Sequence, residues 1–126
     1  MNDYANIGKI EDFFWKMFEG ELFKNKYLTE LPSTNEFESA VVIDIPNPIS
    51  DMDAYAKGAV LIYVYAKPLS PGFKNPIIGK TENEIYRIVE ECRDTRYTIS
   101  IRNTHTDYDA GRDLHVSIIE LNLLIG

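Results

Sequence analysis

The sequence lacks several features that define large classes of protein. It has a single cysteine, Cys92, so an internal disulfide is excluded and a reducing compartment is favoured. Its apolar runs are far shorter than the roughly 20 residues that span a bilayer, and no basic segment followed by an apolar run opens the chain. We therefore expect a cytoplasmic protein with no membrane segment and no signal peptide.

Positive charge is also scarce. Thirteen Lys and Arg stand against twenty Asp and Glu, which gives a net charge of −7. Phosphate contacts need clustered Lys and Arg, so this balance argues against a general binder of nucleic acids or of anionic membranes. What the chain does have is 44% hydrophobic residues, including eight Tyr and six Phe. That content suits a packed core, and we predict one domain over residues 1–126.

The first helix is predicted over residues 7–23. Its apolar residues recur at intervals of three and four, which places them along one stripe: Ile10, Phe13, Phe14, Met17 and Phe18. Asn6 precedes this stripe and is a candidate N-cap. Trp15 lies off the stripe, at the edge of the core or in a contact surface.

A second helix is predicted after an irregular loop, Pro68 to Gly79. Thr81 and Glu84 have the spacing of a capping box, and the apolar face that follows ends at Cys92. We expect this helix to end near residues 94–95. A loop of about a dozen residues is long enough to carry a role in assembly.

Four segments have the composition of strands: Ala40 to Ile45, Tyr55 to Lys67, Tyr97 to Arg102 and Leu114 to Ile125. Residues 24–39 are polar and are predicted to form a loop. The order helix, strand, strand, helix, strand, strand predicts an α+β fold. Its sheet is expected to be antiparallel, with about four strands and both helices on one face.

The longest of these segments alternates between two kinds of side chain. One phase is small and aliphatic, which suits packing beneath helices. The other phase carries Tyr55, Tyr63 and Tyr65. Only Lys57 and Lys67 share that phase, and a base-stacking sheet usually has more cations, so the pattern favours packing or contact with a protein.

The last segment changes phase. Its apolar residues alternate from Leu114 to Ile118 and then continue from Ile119 to Ile125. Such a shift predicts either a β-bulge in this strand or a passage from a one-sided to a buried environment. A polar connection, Asn103 to Asp113, is expected to precede it.

That connection is rich in aspartate. Asp107, Asp109 and Asp113 offer the oxygen ligands that Ca²⁺ prefers. In an EF-hand loop beginning at Asp107, however, Gly111 would fall one position early and Ile118 would replace the final glutamate. A solvated turn with aspartate turn formers is the favoured interpretation.

Other candidates for chemistry are weaker. A zinc site from His105 and His115 would need a further ligand, and His115 is expected to face solvent. Cys92 occupies a position suited to a small buried residue. No spacing singles out the nearest carboxylate pairs, Asp51 with Asp53 and Glu90 with Glu91. We predict a protein that is not an enzyme and has no cofactor or metal.

The order of elements resembles that of a known family. An amphipathic helix precedes a strand pair whose second strand ends in residues 61–67, LIYVYAK. A loop rich in Pro and Asn then leads to a helix containing residues 85–89, IYRIV, and a closing hairpin. This plan and length are similar to those of the small phage tail-terminator and tail-completion (head–tail joining) proteins. The resemblance is one of organisation over most of the chain.

The resemblance implies a structural subunit of a phage or prophage tail. It would form a ring, commonly a hexamer in that family, and contact other tail or connector proteins, with DNA passing non-specifically through an acidic lumen. The protein would then be a virion component assembled in the cytoplasm of a bacterial host. Contacts are expected at the following residues: Tyr55, Tyr63, Tyr65, Pro71, Phe73, Asp107, Tyr108 and Asp109. The alternatives are a small-molecule-binding or enzymatic module and a small regulatory interaction domain.

Overall fold

The structure, a computed structural model, describes residues 3–46, 49–52 and 54–126. Helix α1, Ile7–Met17, begins where the sequence predicts, because the side chain of Asn6 accepts a hydrogen bond from the backbone N–H of Lys9 at 3.3 Å. It ends earlier than predicted. Gly20 has a φ of 112° and interrupts the segment, and a separate 3₁₀ turn follows at Glu21–Phe23.

Helix α2, Ile77–Glu91, does not begin at the predicted capping box. Asn75 supplies the first cap, since its side-chain oxygen accepts from the backbone N–H of Ile77 at 3.1 Å. Thr81 is buried inside the helix, and its hydroxyl donates to the carbonyl oxygen of Ile77 at 2.7 Å. The capping-box prediction was therefore wrong, and the irregular loop is shorter than Pro68 to Gly79. The helix also ends before residues 94–95, because the backbone leaves helical geometry at Cys92.

Six strands form the sheet: β1 Lys26–Leu28, β2 Ser39–Asp44, β3 Ser50–Asp51, β4 Ala56–Ala66, β5 Tyr97–Asp109 and β6 Leu114–Ile125. Five of them lie in the order β1-β2-β4-β6-β5, and the two-residue β3 also pairs with β4. The α+β class is confirmed. The prediction of about four antiparallel strands was wrong in detail. β1 lies within residues 24–39, which were predicted to form a loop, and it pairs parallel to β2. A strand of three residues is too short to show an alternating pattern.

The predicted turn from Asn47 to Asp53 lies partly outside the described residues, at positions 47, 48 and 53. The described part includes β3, which pairs antiparallel with the start of β4. The candidate carboxylate pair Asp51 and Asp53 also falls here, and Asp53 lies outside the described residues.

Both helices cover the same side of the sheet, which we call the helix face. The aliphatic phase of β4 lies there, and Val60, Ile62 and Val64 are almost fully buried as predicted. Phe14 of α1 and Ile85 of α2 belong to the same buried cluster. Trp15 lies off this cluster, with 37% of its surface exposed, and the ammonium of Lys26 sits 4.5 Å from its ring centroid. The indole is thus at the edge of the core.

The opposite side, the open face, has a smaller cluster at one end. Phe37 from the loop before β2 packs there against Ala40 and Leu114, and all three are buried. The first half of β6 is therefore covered on both faces, which explains the phase shift in its sequence. The environment of β6 does change, but in the direction opposite to the one predicted, because the strand passes from burial on both faces to burial on the helix face alone.

A bulge does exist, but it lies in β5. Ile101 is opposite Leu121 and Asn103 is opposite Glu120, so Arg102 is an extra residue in the ladder. The strand then continues to Asp109, and the predicted connection from Asn103 to Asp113 is mostly strand. Polar side chains mark this segment because β5 is an exposed edge strand, and polarity there does not indicate a loop.

Candidate interaction site at the hairpin tip

The turn between β5 and β6, together with the residues on either side of it, forms the hairpin tip, residues 107–113. Tyr108 is opposite His115 in the ladder, and their ring centroids are 5.0 Å apart. The hydroxyl of Tyr108 donates to Oδ1 of Asp113. Asp113 has a φ of 53°, a left-handed conformation that aspartate tolerates better than most residues. Turn geometry thus holds a phenol, a carboxylate and an imidazole together.

A second segment meets the tip from across the sheet. β4 is followed by Pro68, and a tight turn at Pro71 and Gly72 closes with a hydrogen bond from the backbone N–H of Phe73 to the carbonyl oxygen of Ser70 at 2.9 Å. Gly72 has a φ of 81°, which favours glycine. Between this loop and the tip lies a depression of about 530 Å³, the tip pocket, lined by Pro68, Ser70, Pro71, Gly72, Tyr108, Asp113 and His115.

Exposed apolar side chains lie at the same end of the molecule. Leu69 is 62% exposed, Phe73 is 67% exposed and Tyr108 is 46% exposed. Large apolar groups scattered singly are ordinary on a protein surface, but a cluster beside a depression is typical of contact surfaces.

The side chain of Arg112 joins the tip to the loop before β2. The guanidinium of Arg112 donates to the carbonyl oxygen of Pro32 at 3.0 Å and to Oδ1 of Asn35 at 2.9 Å. The Asn35 amide donates back to the carbonyl oxygen of Arg112 at 2.8 Å. The tip holds three aspartates against this one arginine, so its net charge is negative.

The pKa of Tyr108 is raised above its ordinary value, first because its hydroxyl donates to the Asp113 carboxylate, which favours the neutral phenol. Burial raises the pKa of Tyr65 on the open face, and the nearby Tyr63 and Asp109 add to that shift. Both tyrosines are therefore neutral hydrogen-bonding groups at neutral pH.

The predicted contact residues fall into three places. Pro71 and Tyr108 meet in the tip pocket, with Phe73 close in sequence to Pro71. Tyr63 and Tyr65 are on the open face, with their rings stacked at 6.0 Å between centroids. Tyr55 precedes β4 at the other end of that strand, and is 39% exposed.

Each aspartate of the tip accepts a hydrogen bond from a nearby backbone N–H or from the phenol of Tyr108. Oδ1 of Asp107 accepts from the backbone N–H of Tyr108 at 2.8 Å, and Oδ1 of Asp109 accepts from that of Arg112 at 3.1 Å. Among residues 3–46, 49–52 and 54–126, no group of three or more His, Cys, Asp or Glu is arranged to hold a metal ion.

The histidines and the cysteine occupy different positions. His105 is opposite Ile118 on the open face, whereas His115 is on the helix face, half-buried beside Tyr108. The expectation that His115 faces solvent was wrong, because the Tyr108 ring covers it. Cys92 packs partly buried against the core.

Sequence reasoning missed His115 and Asp113 as partners of Tyr108. The signal was present in principle: a tight turn after Asp109 places residue 108 opposite residue 115. It was hidden by the assignment of residues 103–113 to an irregular connection.

In the described part of the chain, neither helix has the length and apolar character needed to cross a bilayer. No family model matches the sequence, and comparison with curated proteins gave no match.

Proposed function

We propose that this protein is a structural subunit of a phage or prophage tail, a ring-forming tail terminator or head–tail joining protein. The observation that supports the proposal most is the cluster of exposed apolar side chains around the tip pocket, Leu69, Phe73 and Tyr108. Surfaces of this kind are used for contacts between subunits. The element order on which the resemblance rests is present in the fold, with β1 and β3 as short additions.

In such a ring each subunit presents two different surfaces, and contacts between unlike surfaces close when the rotation between neighbours allows it. The tip and the Pro68–Phe73 loop supply one surface. A net charge of −7 favours a lumen through which DNA slides without binding. The protein acts by its shape and charge and carries out no chemical step.

The mass of the purified protein in solution tests this proposal. We expect a concentration-dependent oligomer by light scattering after gel filtration, and binding to tail or connector proteins encoded by neighbouring genes. Leu69→Ser and Phe73→Ser are expected to weaken the oligomer, since both remove apolar area that is exposed in the monomer. Leu124→Ser is the matched control, because Leu124 is 45% exposed on the open face of β6, opposite Lys57 at the far end of β4.

A strict monomer at high protein concentration that also fails to bind those neighbours would refute the proposal. If Leu124→Ser weakens the oligomer as much as Phe73→Ser does, the loss is not specific to the tip end. Circular dichroism and thermal unfolding of each variant separate a lost contact from a lost fold.

A small-molecule-binding module is the second candidate, and the tip pocket favours it. Its volume of about 530 Å³ lies within the size range of ligand sites, and a phenol, a carboxylate and an imidazole converge on it. A compound that raises the melting temperature of the wild type and leaves that of Tyr108→Phe unchanged would support this function.

A further inference from the structure

A second depression lies at the other end of β5, and its charge is opposite to that of the tip. We call it the basic pocket, and its volume is about 400 Å³. Lys9, Lys16 and Arg96 line it together with Asp12, so three cations stand against one carboxylate. In a molecule with a net charge of −7 this is a local concentration of positive charge.

The wall of the basic pocket is aromatic. Tyr4, Phe13 and Tyr97 form it, with the Phe13 and Tyr97 ring centroids 4.5 Å apart. The ammonium of Lys9 lies 5.3 Å from the centroid of the Tyr4 ring, and the guanidinium of Arg96 lies 4.8 Å from it. The pocket therefore offers aromatic surface next to cations, which suits an aromatic side chain flanked by carboxylates.

Part of this charge is already compensated. Lys16 forms an ion pair with Asp12 at 2.9 Å, and both side chains are mostly exposed. Arg96 lies 3.7 Å from Asp94. The exposed pair of Lys16 and Asp12 is weak and exchanges readily for other partners, so Lys16 and Lys9, which has no ion-pair partner among the described residues, retain an attraction for an incoming anion.

The hairpin tip has the complementary composition. Tyr108, which is 46% exposed, lies beside Asp113 on the helix face of the tip, whereas Asp107 and Asp109 precede and follow it in sequence and lie on the open face. The one cation of the tip, Arg112, is directed into the loop before β2 by its bonds to Pro32 and Asn35. The tip thus presents an aromatic ring beside one carboxylate, with two more carboxylates on its other face, and the basic pocket presents aromatic rings among cations.

One subunit cannot bring these surfaces together. Tyr97 begins β5 and Asp109 ends it, and a strand of 13 residues spans about 40 Å at roughly 3.3 Å per residue. Contact between the two surfaces therefore requires two copies in a head-to-tail arrangement. Contacts between unlike surfaces of this type build rings or filaments.

We propose that the hairpin tip of one copy docks in the basic pocket of the next copy. This inference rests on the proposed assembly function and names the contact that would produce it. The interaction is electrostatic in part, so salt weakens it. It is specific because the ring of Tyr108 enters the pocket together with Asp113, while Asp107 and Asp109 on the other face of the tip add to its negative charge.

A pair of charge-reversal variants tests the contact. The tip variant is Asp107→Lys with Asp109→Lys, and the pocket variant is Lys9→Glu with Lys16→Glu. The Asp107, Lys9 and Lys16 side chains are exposed and Asp109 is only partly buried, so these changes leave the core intact. Thermal unfolding of each variant checks the fold. The oligomer is measured by light scattering and sedimentation over a range of protein and salt concentrations.

Each variant by itself is expected to lose self-association, with the dissociation constant raised by about tenfold or more through like-charge contact. An equimolar mixture is expected to regain it. In the mixture every tip meets a pocket of opposite charge, since the reversed tip fits the reversed pocket and the native tip fits the native pocket. High salt is expected to weaken the wild-type oligomer.

Three results would overturn the proposal, and they are distinguishable. If the wild type assembles and either variant assembles equally well, the tip does not dock in the basic pocket, although assembly itself stands. If both variants lose assembly and the mixture does not recover it, the two sets of charges do not meet. If the wild type never assembles and binds no neighbouring tail protein, the proposed function fails together with this contact.

Discussion

Removal of one buried hydroxyl is expected to stabilise the protein. Ser117 of β6 is fully buried on the helix face, opposite Val64 of β4 and Thr106 of β5. Its hydroxyl oxygen has no hydrogen-bond partner among the described residues. A buried polar group without a partner costs about 1–3 kcal/mol of desolvation. Ser117→Ala removes that cost and leaves a space of only one oxygen atom.

The expected gain is about 1–2 kcal/mol in the free energy of unfolding, after allowance for the small void. In a domain of this size each kcal/mol corresponds to about 3–5 °C in melting temperature. Urea unfolding gives the free energy directly, and an unchanged m-value shows that the unfolded state is the same. Thr106→Ala is the control, since Thr106 is exposed on the neighbouring strand and its change is expected to have little effect.

A loss of stability in Ser117→Ala would refute this reasoning. It would mean that the hydroxyl takes part in a favourable interaction in the folded protein. An equal gain in the free energy of unfolding of Thr106→Ala would indicate that the effect arises from strand propensity and not from the buried hydroxyl.

Three further predictions concern the core, the sheet and the tip. Phe14→Ala is expected to cost about 3–5 kcal/mol because Phe14 is fully buried, whereas Phe73→Ala, at 67% exposed, should leave urea unfolding within about 0.5 kcal/mol of wild type. Gly58→Ala would place Cβ at 2.4 Å from Cδ1 of Ile49 and is expected to cost about 1–2 kcal/mol. Adding Ile49→Ala to it should give a favourable coupling energy in a double-mutant cycle. The raised pKa of Tyr108 means that the fold favours the neutral phenol. The stabilisation from its bond to Asp113 is therefore complete below a pH of about 10 and declines as the pH rises through the folded pKa. As the pH rises above that value, the free energy of unfolding of Tyr108→Phe should therefore fall less than that of the wild type.

A different result would refute each of these three predictions. Equal losses in Phe14→Ala and Phe73→Ala would mean that the helix stripe does not form the core. Additive effects of the Gly58 and Ile49 substitutions would show that these two residues are not in close contact. Parallel pH profiles for the wild type and Tyr108→Phe would show that the bond to Asp113 does not persist in solution.

The two helices and the long strands were predictable because their residues repeat with a clear period. The stripe containing Ile10, Phe14 and Phe18 fixes which side of α1 is buried, and the aliphatic phase of β4 fixes which side of the sheet the helices cover. Both patterns arise from burial of a single face, which is the signal that sequence periodicity records.

The boundaries of α1 and α2 were less predictable. Thr81 and Glu84 match a capping box, yet the helix begins at Ile77 because Asn75 caps it and the Thr81 hydroxyl bonds back to the preceding turn. A local motif is outweighed here by a cap that lies earlier in the chain. Composition alone does not show whether Asn75 or Thr81 caps the helix.

The edge strands were hidden for a different reason. β1 is only three residues long, and β5 from Asn103 to Asp109 is exposed and polar, so neither has an apolar phase. Their pairing is specified by the partner strands β2 and β6, which is information that lies elsewhere in the chain. The tip pocket depends on that pairing, and its members Asp113 and His115 were missed accordingly.

The bulge at Arg102 decides what the far end of the hairpin displays. Up to Ile101 the ladder keeps apolar side chains beneath α2, and after the extra residue every side chain of β5 exchanges sides. If Arg102 were instead paired with Glu120 and the bulge were absent, Tyr108 would be opposite Leu114 and would point away from His115, and Asp107 and Asp109 would turn toward the helices. The bulge at Arg102 thus determines which face of the sheet displays the ring of Tyr108 and which displays Asp107 and Asp109.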